Sequence, residues 1–216
     1  MTSLRFDEIN NLVTNSTVRI RSTPYEQYFG KMHISDERKQ RRVDIARKLQ
    51  PTFQYLFYLI EATIQYDFLD YEFVIEQFEI ELRTVLEQLV IVDAYFDGYV
   101  TYLADEIVKA TYNNIDEVDP DDYWLSEDRA IFISENEANT IANYEELQEA
   151  LEDGYLFKTW VTMGDMRVRK DHDEVNGETI PIGEYFEVGG SQMLFPHDVE
   201  NAPEQTVNCR CSLDFS

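Results

Sequence analysis

The sequence predicts an α+β fold, with a long N-terminal helical hairpin followed by a small C-terminal α+β module carrying an antiparallel sheet. Three observations carry this prediction. Apolar residues recur every three or four positions from Val43 to Ile107, the repeat that lines one helix face. From Tyr155 onward, β-forming residues alternate with glycine-containing turns. A hydrophobic content of 44% with 13% aromatic residues over 216 positions supplies a real core, which excludes a disordered chain and a disulfide miniprotein.

The first stripe is Val43, Ala46, Leu49, Phe53, Leu56, Phe57, Ile60 and Ile64, preceded by Ser35 and Asp36 as N-cap candidates. Pro51 lies inside it and predicts a restart or a kink. A second stripe, Ile75, Phe78, Leu82, Val85, Leu86, Leu89, Phe96, Val100, Leu103 and Ile107, keeps the same spacing through Tyr112. Unbroken, it makes about 40 residues and about 60 Å of helix, with Gly98 as its weak point. Such stripes are buried against each other or against a partner, so an elongated antiparallel hairpin is expected. Phe53, Phe57, Phe78 and Phe96 represent more apolar surface than one hairpin hides, which predicts association into an oligomer.

Asn, Asp and Pro residues from Asn113 to Trp124 read as a linker. Ser126 then caps an Ala- and Glu-rich helix running to Asp153, closed by Gly154. Strands with turns at Gly164-Asp165, Asn176-Gly177 and Gly189-Gly190 follow, ending in VNCRCSLDF. The chain is therefore divided into an elongated helical region, residues 1–125, and a compact module, residues 126–216.

Eighteen Lys and Arg against 43 Asp and Glu give a net charge of -25, so general phosphate neutralisation of nucleic acid is excluded as the mode of action. Arg38, Lys39, Arg41, Arg42, Arg47 and Lys48 form a basic cluster on the first helix. It reads as a solvated face, or more sharply as a dock for an acidic partner or nucleic acid. The opening MTSLRFDEINNLV lacks the pattern of a secretory leader, and FQYLFYLI is too short to span a bilayer. Cys209 and Cys211 offer no disulfide framework. A soluble protein made inside the cell is expected, with no membrane partner.

Unusual polar residues gather in the C-terminal module: Trp160, Asp165, Arg167, Arg169, His172, Asp198, Asn208, Cys209, Arg210 and Cys211. A zinc site would use His172, Cys209 and Cys211, with His197 or Asp165 as fourth ligand. A nuclease would use His172 as general base and Arg167 or Arg169 against phosphate. A purely structural role has Asp165 and Arg167 pinning a turn, Trp160 filling the core and the cysteines packed, reduced and metal-free, on one face of the last strand. The structural role is the preferred reading, with no cofactor and no catalytic residue. Alternation along a strand from Asp165 would place Asp165, Arg167 and Arg169 on one face, with His172 beyond it beside Asp171 and Asp173. No phosphate-binding glycine loop, GxSxG elbow or HExxH helix occurs. His33 and His197 read as lone surface or hydrogen-bonded residues.

The runs GYLFKTWVTMGDMRVRKDHDEVNGETIP, FEVGGSQMLFPHD and ENAPEQTVNCRC together resemble the C-terminal signature of tailed-phage minor head proteins, the MuF-type head morphogenesis family. The matching pattern is Lys158 and Trp160, then Asp165, Arg167, Arg169 and His172, then Asn176-Gly177, Pro196 and Asp198, and finally Asn208-Cys209-Arg210-Cys211. Upstream, EDRAIFISENEANTIANYEEL resembles the family's preceding helix, with Ser134-Glu135 and Asn136-Glu137 where members often show Thr-Glu. The resemblance runs from about Glu127 to the end. It implies a structural minor head protein at the portal vertex inside the phage capsid, made in the bacterial host cytoplasm, supporting head assembly or DNA delivery. Portal, major capsid or scaffolding proteins are the implied partners, with DNA contact only local. A small RNase or toxin-like enzyme using His172 with Arg167 and Arg169, and a zinc-stabilised interaction domain, are the alternatives.

Overall fold

A computed structural model describes residues 25–66, 71–90, 92–115, 123–198 and 203–216. The N-terminal stretch read for a leader and residues 116–122 of the expected linker lie outside the described residues. Among the described residues five helices come first: α1 (Tyr25–Phe29), α2 (Asp36–Tyr66), α3 (Tyr71–Leu86), α4 (Ala94–Tyr112) and α5 (Glu127–Glu152), with a 3-10 turn at Tyr123–Leu125. The C-terminal part follows as β1 (Phe157–Val161), α6 (Lys170–Glu174), β2 (Thr179–Pro181), β3 (Phe186–Val188), β4 (Ser191–Met193), α7 (Pro203–Thr206) and β5 (Ser212–Phe215). The α+β class is as the sequence predicts. No helix among the described residues is long and apolar enough to cross a membrane.

The chain forms two compact units, one containing residues 47–134 and the other residues 23–46 with 135–216. Division into separately folding stretches at residue 125 stays a proposal.

In the first unit the second stripe is not one helix. It breaks after Leu86, and Asp93 caps a new helix by accepting the backbone N–H groups of Tyr95 and Phe96. Tyr71 meets Tyr112, and Arg83 meets Asp97, so α3 and α4 run antiparallel. The C-terminal part of α2 packs on them, with Phe53 against Phe78 at 5.8 Å and the Thr63 hydroxyl on the Tyr112 hydroxyl at 2.5 Å. Three helical segments therefore replace the expected elongated pair. Phe53, Phe57, Phe78 and Phe96 are all buried within the chain, which corrects the expectation that they need an outside partner. Arg129, at the start of α5, closes this unit by stacking over Phe57 and Trp124 and donating to the Thr111 hydroxyl at 2.6 Å.

In the second unit the Ser35 hydroxyl accepts the Arg38 N–H and starts α2. Pro51, in the first unit, sits inside α2 without ending it. Ser126, also in the first unit, accepts the Arg129 N–H at the start of α5, while in the second unit Gly154, at φ +80°, closes α5 with the left-handed residue that helix ends favour. Strand β1 lies between β2 and β5, antiparallel to both, with Trp160 opposite Leu213 and Lys158 opposite Ile180. A separate hairpin pairs β3 with β4 through Gly189-Gly190, both at positive φ.

Within the basic cluster, Arg38, Arg41 and Arg42 are neither a solvated face nor a free dock, whereas Arg47 and Lys48 are exposed. Arg42 is fully buried and donates to Asn139 at 2.7 Å, to Asn143 at 2.8 Å and to both Glu146 oxygens. Arg38 forks onto Glu146 and reaches the Leu213 carbonyl at 2.6 Å, while Arg41 forks onto Glu145. Apart from the Leu213 contact, these are interhelical bonds between α2 and α5.

Gly98 sits exposed inside α4, and a methyl group there would meet nothing within 4 Å. Gly98→Ala should therefore raise stability by about 0.5–1 kcal/mol through lower chain entropy in the unfolded state. Urea denaturation measures it; an unchanged or lower midpoint would contradict the helix assignment.

Candidate functional site

Strand β1 turns Lys158 and Trp160 inward while its other residues stay at least partly exposed, the alternation of a half-buried strand. Trp160 fills the centre, edge-on to His172 at 5.6 Å and to Phe186 at 5.2 Å. Lys158 donates to the Leu194 carbonyl at 2.7 Å, and burial lowers its pKa to about 8.

After β1 the chain does not continue as a strand, which corrects the expected alternation of Asp165, Arg167 and Arg169. Asp165 instead folds a turn, accepting the Arg167 N–H on its side chain at 3.0 Å and the Val168 N–H on its carbonyl at 3.1 Å. Its main cation is Arg210, which forks onto both carboxylate oxygens at 2.7 and 2.8 Å. That pair holds the Asp165 carboxyl far below the usual carboxylate range. Arg167 is largely exposed, 3.8 Å from Asp165, and Arg169 donates to the Val207 carbonyl.

The short helix α6 points His172 inward, where it is only 1% exposed. The expected position beside the Asp171 and Asp173 acids is thereby corrected. His172 Nε2 meets the Gln205 side-chain oxygen at 3.0 Å, and Nδ1 lies 3.5 Å from both Cys209 Sγ and Cys211 Sγ. Both cysteines are free of a disulfide and buried. They precede β5 rather than lying on it, so the expected packing on the final strand is also corrected. Their sulfurs fall on one side of the chain, while Arg210 between them turns the other way to Asp165. Burial opposes the Cys209 thiolate, but a hydrogen bond from Cys211 and the nearby imidazoles of His197 and His172 outweigh it and hold its pKa well down. The same hydrogen bond, with burial, pushes Cys211 well up.

Neither proposed fourth ligand joins this group among the described residues. Asp165 is taken by Arg210, and His197, buried at φ +73°, sets its Nε2 on the Cys209 carbonyl. His33 bonds the Met163 carbonyl at 3.2 Å. The nuclease arrangement needs His172 open to a substrate hydroxyl, whereas its side chain is almost wholly buried.

The sequence reading missed the residues that hold the cysteine segment in place. Asn136 accepts the Asn208 N–H at 2.8 Å, which supports Asn208 at φ +60°. Asn139 and Asn143 donate to the Cys211 carbonyl at 3.0 and 3.1 Å, and Asn143 also donates to the Pro196 carbonyl. The signal was present: asparagines at positions 136, 139 and 143 recur at helical spacing, a polar stripe along one face of the helix. Gln205 was likewise overlooked, having no neighbour in sequence that marks it.

Glu135 lies partly buried on α5, and desolvation raises its pKa to about 7. It also pushes up, together with burial, the pKa of Tyr28. A carboxyl whose folded pKa exceeds its unfolded value binds more protons folded than unfolded, so its stabilising effect is full below about pH 4.3 and lost as pH rises through 7. Glu135→Gln should remove this loss and gain about 1 kcal/mol over the native chain at pH 8 relative to pH 4, after discounting for partial exposure. Thermal denaturation at the two pH values tests it; an equal gain at both would contradict the buried neutral acid.

A family model described as phage Mu protein F like protein matches residues 103–214, from within α4 to the end of the sheet. Comparison with curated proteins and with solved structures found no match. The matched segment starts upstream of Glu127, takes in α5 with its asparagine stripe, and contains every residue of the His172, Cys209 and Cys211 cluster. With more than half of its length matched, the chain belongs to the phage Mu protein F-like family.

Proposed function

We propose that this protein is a structural minor head protein that acts at the portal vertex inside the phage capsid and supports head assembly and DNA delivery. Membership of the phage Mu protein F-like family makes it a phage head-related structural protein. The observation that carries the reading is the family match across the whole C-terminal module, from α5 to β5. Burial of its most reactive side chains supports a role without catalysis, since His172, Cys209 and Cys211 are each at most 3% exposed. The portal protein is the proposed principal partner, with the major capsid or scaffolding protein beside it. A net charge of -25 favours protein contacts and restricts any DNA contact to local patches.

Heads purified after infection with phage carrying or lacking this gene test the proposal, with mass spectrometry and electron microscopy of the particles. The expected result is a low-copy component located at the portal vertex, whose loss yields non-infectious heads. Normal infectious heads without the chain, or its absence from purified particles, would overturn the reading. RNA incubated with the purified chain should remain intact, whether or not His172 is changed to Ala.

A further inference from the structure

We propose that His172, Cys209 and Cys211 bind one zinc ion, which ties helix α6 to the segment leading into β5. The inference stands apart from the capsid role.

The three ligand atoms, His172 Nδ1 and the two sulfurs, all lie within 4.8 Å of one another. A tetrahedral zinc with ordinary Zn–S and Zn–N bonds sets its nitrogen and sulfur ligands about 3.5 Å apart. Both Nδ1 to Sγ distances are 3.5 Å. The set therefore needs no rearrangement on its nitrogen edges to accept the ion.

The imidazole is also presented correctly. Gln205 donates its amide N–H toward Asp171 Oδ2 at 3.5 Å, which turns its oxygen toward His172 Nε2 at 3.0 Å. An oxygen there accepts only from Nε2–H, so Nδ1 carries the lone pair. Metal-binding histidines are held in this way, with the second nitrogen donating to a neighbouring acceptor. The hairpin closes over this arrangement at Gly189, where any Cβ would collide with the Gln205 amide and the Asp171 carboxylate.

As a hydrogen-bonded group, only one S–H at a time can donate to the single lone pair on Nδ1, which leaves the other thiol to its neighbouring sulfur. Zinc engages all three atoms at once, and two thiolates cancel its charge, which suits a buried site. The Cys211 backbone N–H reaches Cys209 Sγ at 3.5 Å, a donor suited to a thiolate. A cavity of about 10 Å³ opens on the three ligands and is lined also by Met163, Arg169 and Asn208. That is room for about one water, the fourth ligand in this proposal.

The full chain, expressed with zinc present and dialysed against metal-free buffer, should retain about one zinc per molecule. Cys209→Ser, Cys211→Ser and His172→Ala should each lose it, whereas Asp165→Asn should keep it. Because ligand variants can fail to fold, two measurements use chains with every ligand intact. Cobalt(II) in place of zinc should give thiolate charge-transfer and tetrahedral ligand-field bands. Gln205→Ala, which removes only the orienting acceptor, should weaken zinc affinity about 10- to 100-fold in a chelator competition. A dialysed native chain with no metal, two reactive thiols and no cobalt bands would overturn the proposal, as would a Cys209–Cys211 disulfide in protein purified under reducing conditions.

Discussion

The C-terminal module depends on a buried cation. Arg42 carries a guanidinium with no solvent exposure, and such a charge is tolerated only when its donors are matched by acceptors. Glu146 supplies the balancing charge: burial opposes its ionisation, but Arg42 and Arg38 outweigh that and hold its pKa below the usual value. Asn139 and Asn143 supply the remaining acceptors through their side-chain oxygens. Satisfying Arg42 in this way fixes the direction of both amides, because an oxygen committed to the guanidinium leaves the NH2 group facing away from it. Both NH2 groups then meet the Cys211 carbonyl. A charge on α2 thus sets the position of a cysteine at the far end of the chain.

This arrangement explains why the most reactive side chains of the protein are enclosed. The asparagine stripe of α5 holds the cysteine segment from one side, and Trp160 and α6 bring His172 to it from another. Arg210 and Asp165 form an outer clasp between the turn after β1 and the same segment. Each polar link is a modest contribution alone, about 1 kcal/mol for a neutral hydrogen bond, but the buried ones are costly to leave half made. A module built like this resists rearrangement, which suits a structural component of a phage head.

Much of this was legible in the sequence, for reasons that also mark where legibility stops. Ser35, Ser126 and Gly154 signal helix ends through local backbone chemistry, and each does so in the structure. The break between α3 and α4 was hidden because Leu89 is buried and continues the apolar spacing across it, so periodicity alone sees one helix. Asp93 was the available clue. The arginines of α2 were misread because their partners, Glu145 and Glu146, lie 104 and 108 residues away along the chain. The turn at Gly164-Asp165 was legible from residue type, but the alternation expected of Asp165, Arg167 and Arg169 fails because the Asp165 side chain captures the Arg167 N–H. His172 and the cysteines could be named from residue type, but their convergence is a tertiary fact, set by Gln205 and by the asparagines.

Hydrogen–deuterium exchange on the native chain and on Arg42→Met tests most directly whether the buried cation governs the module. If it does, the variant loses amide protection from Asn208 to Phe215 as well as along α2 and α5, because Asn139 and Asn143 no longer hold the Cys211 carbonyl. Faster exchange confined to α2, with the cysteine segment as protected as before, would contradict that dependence.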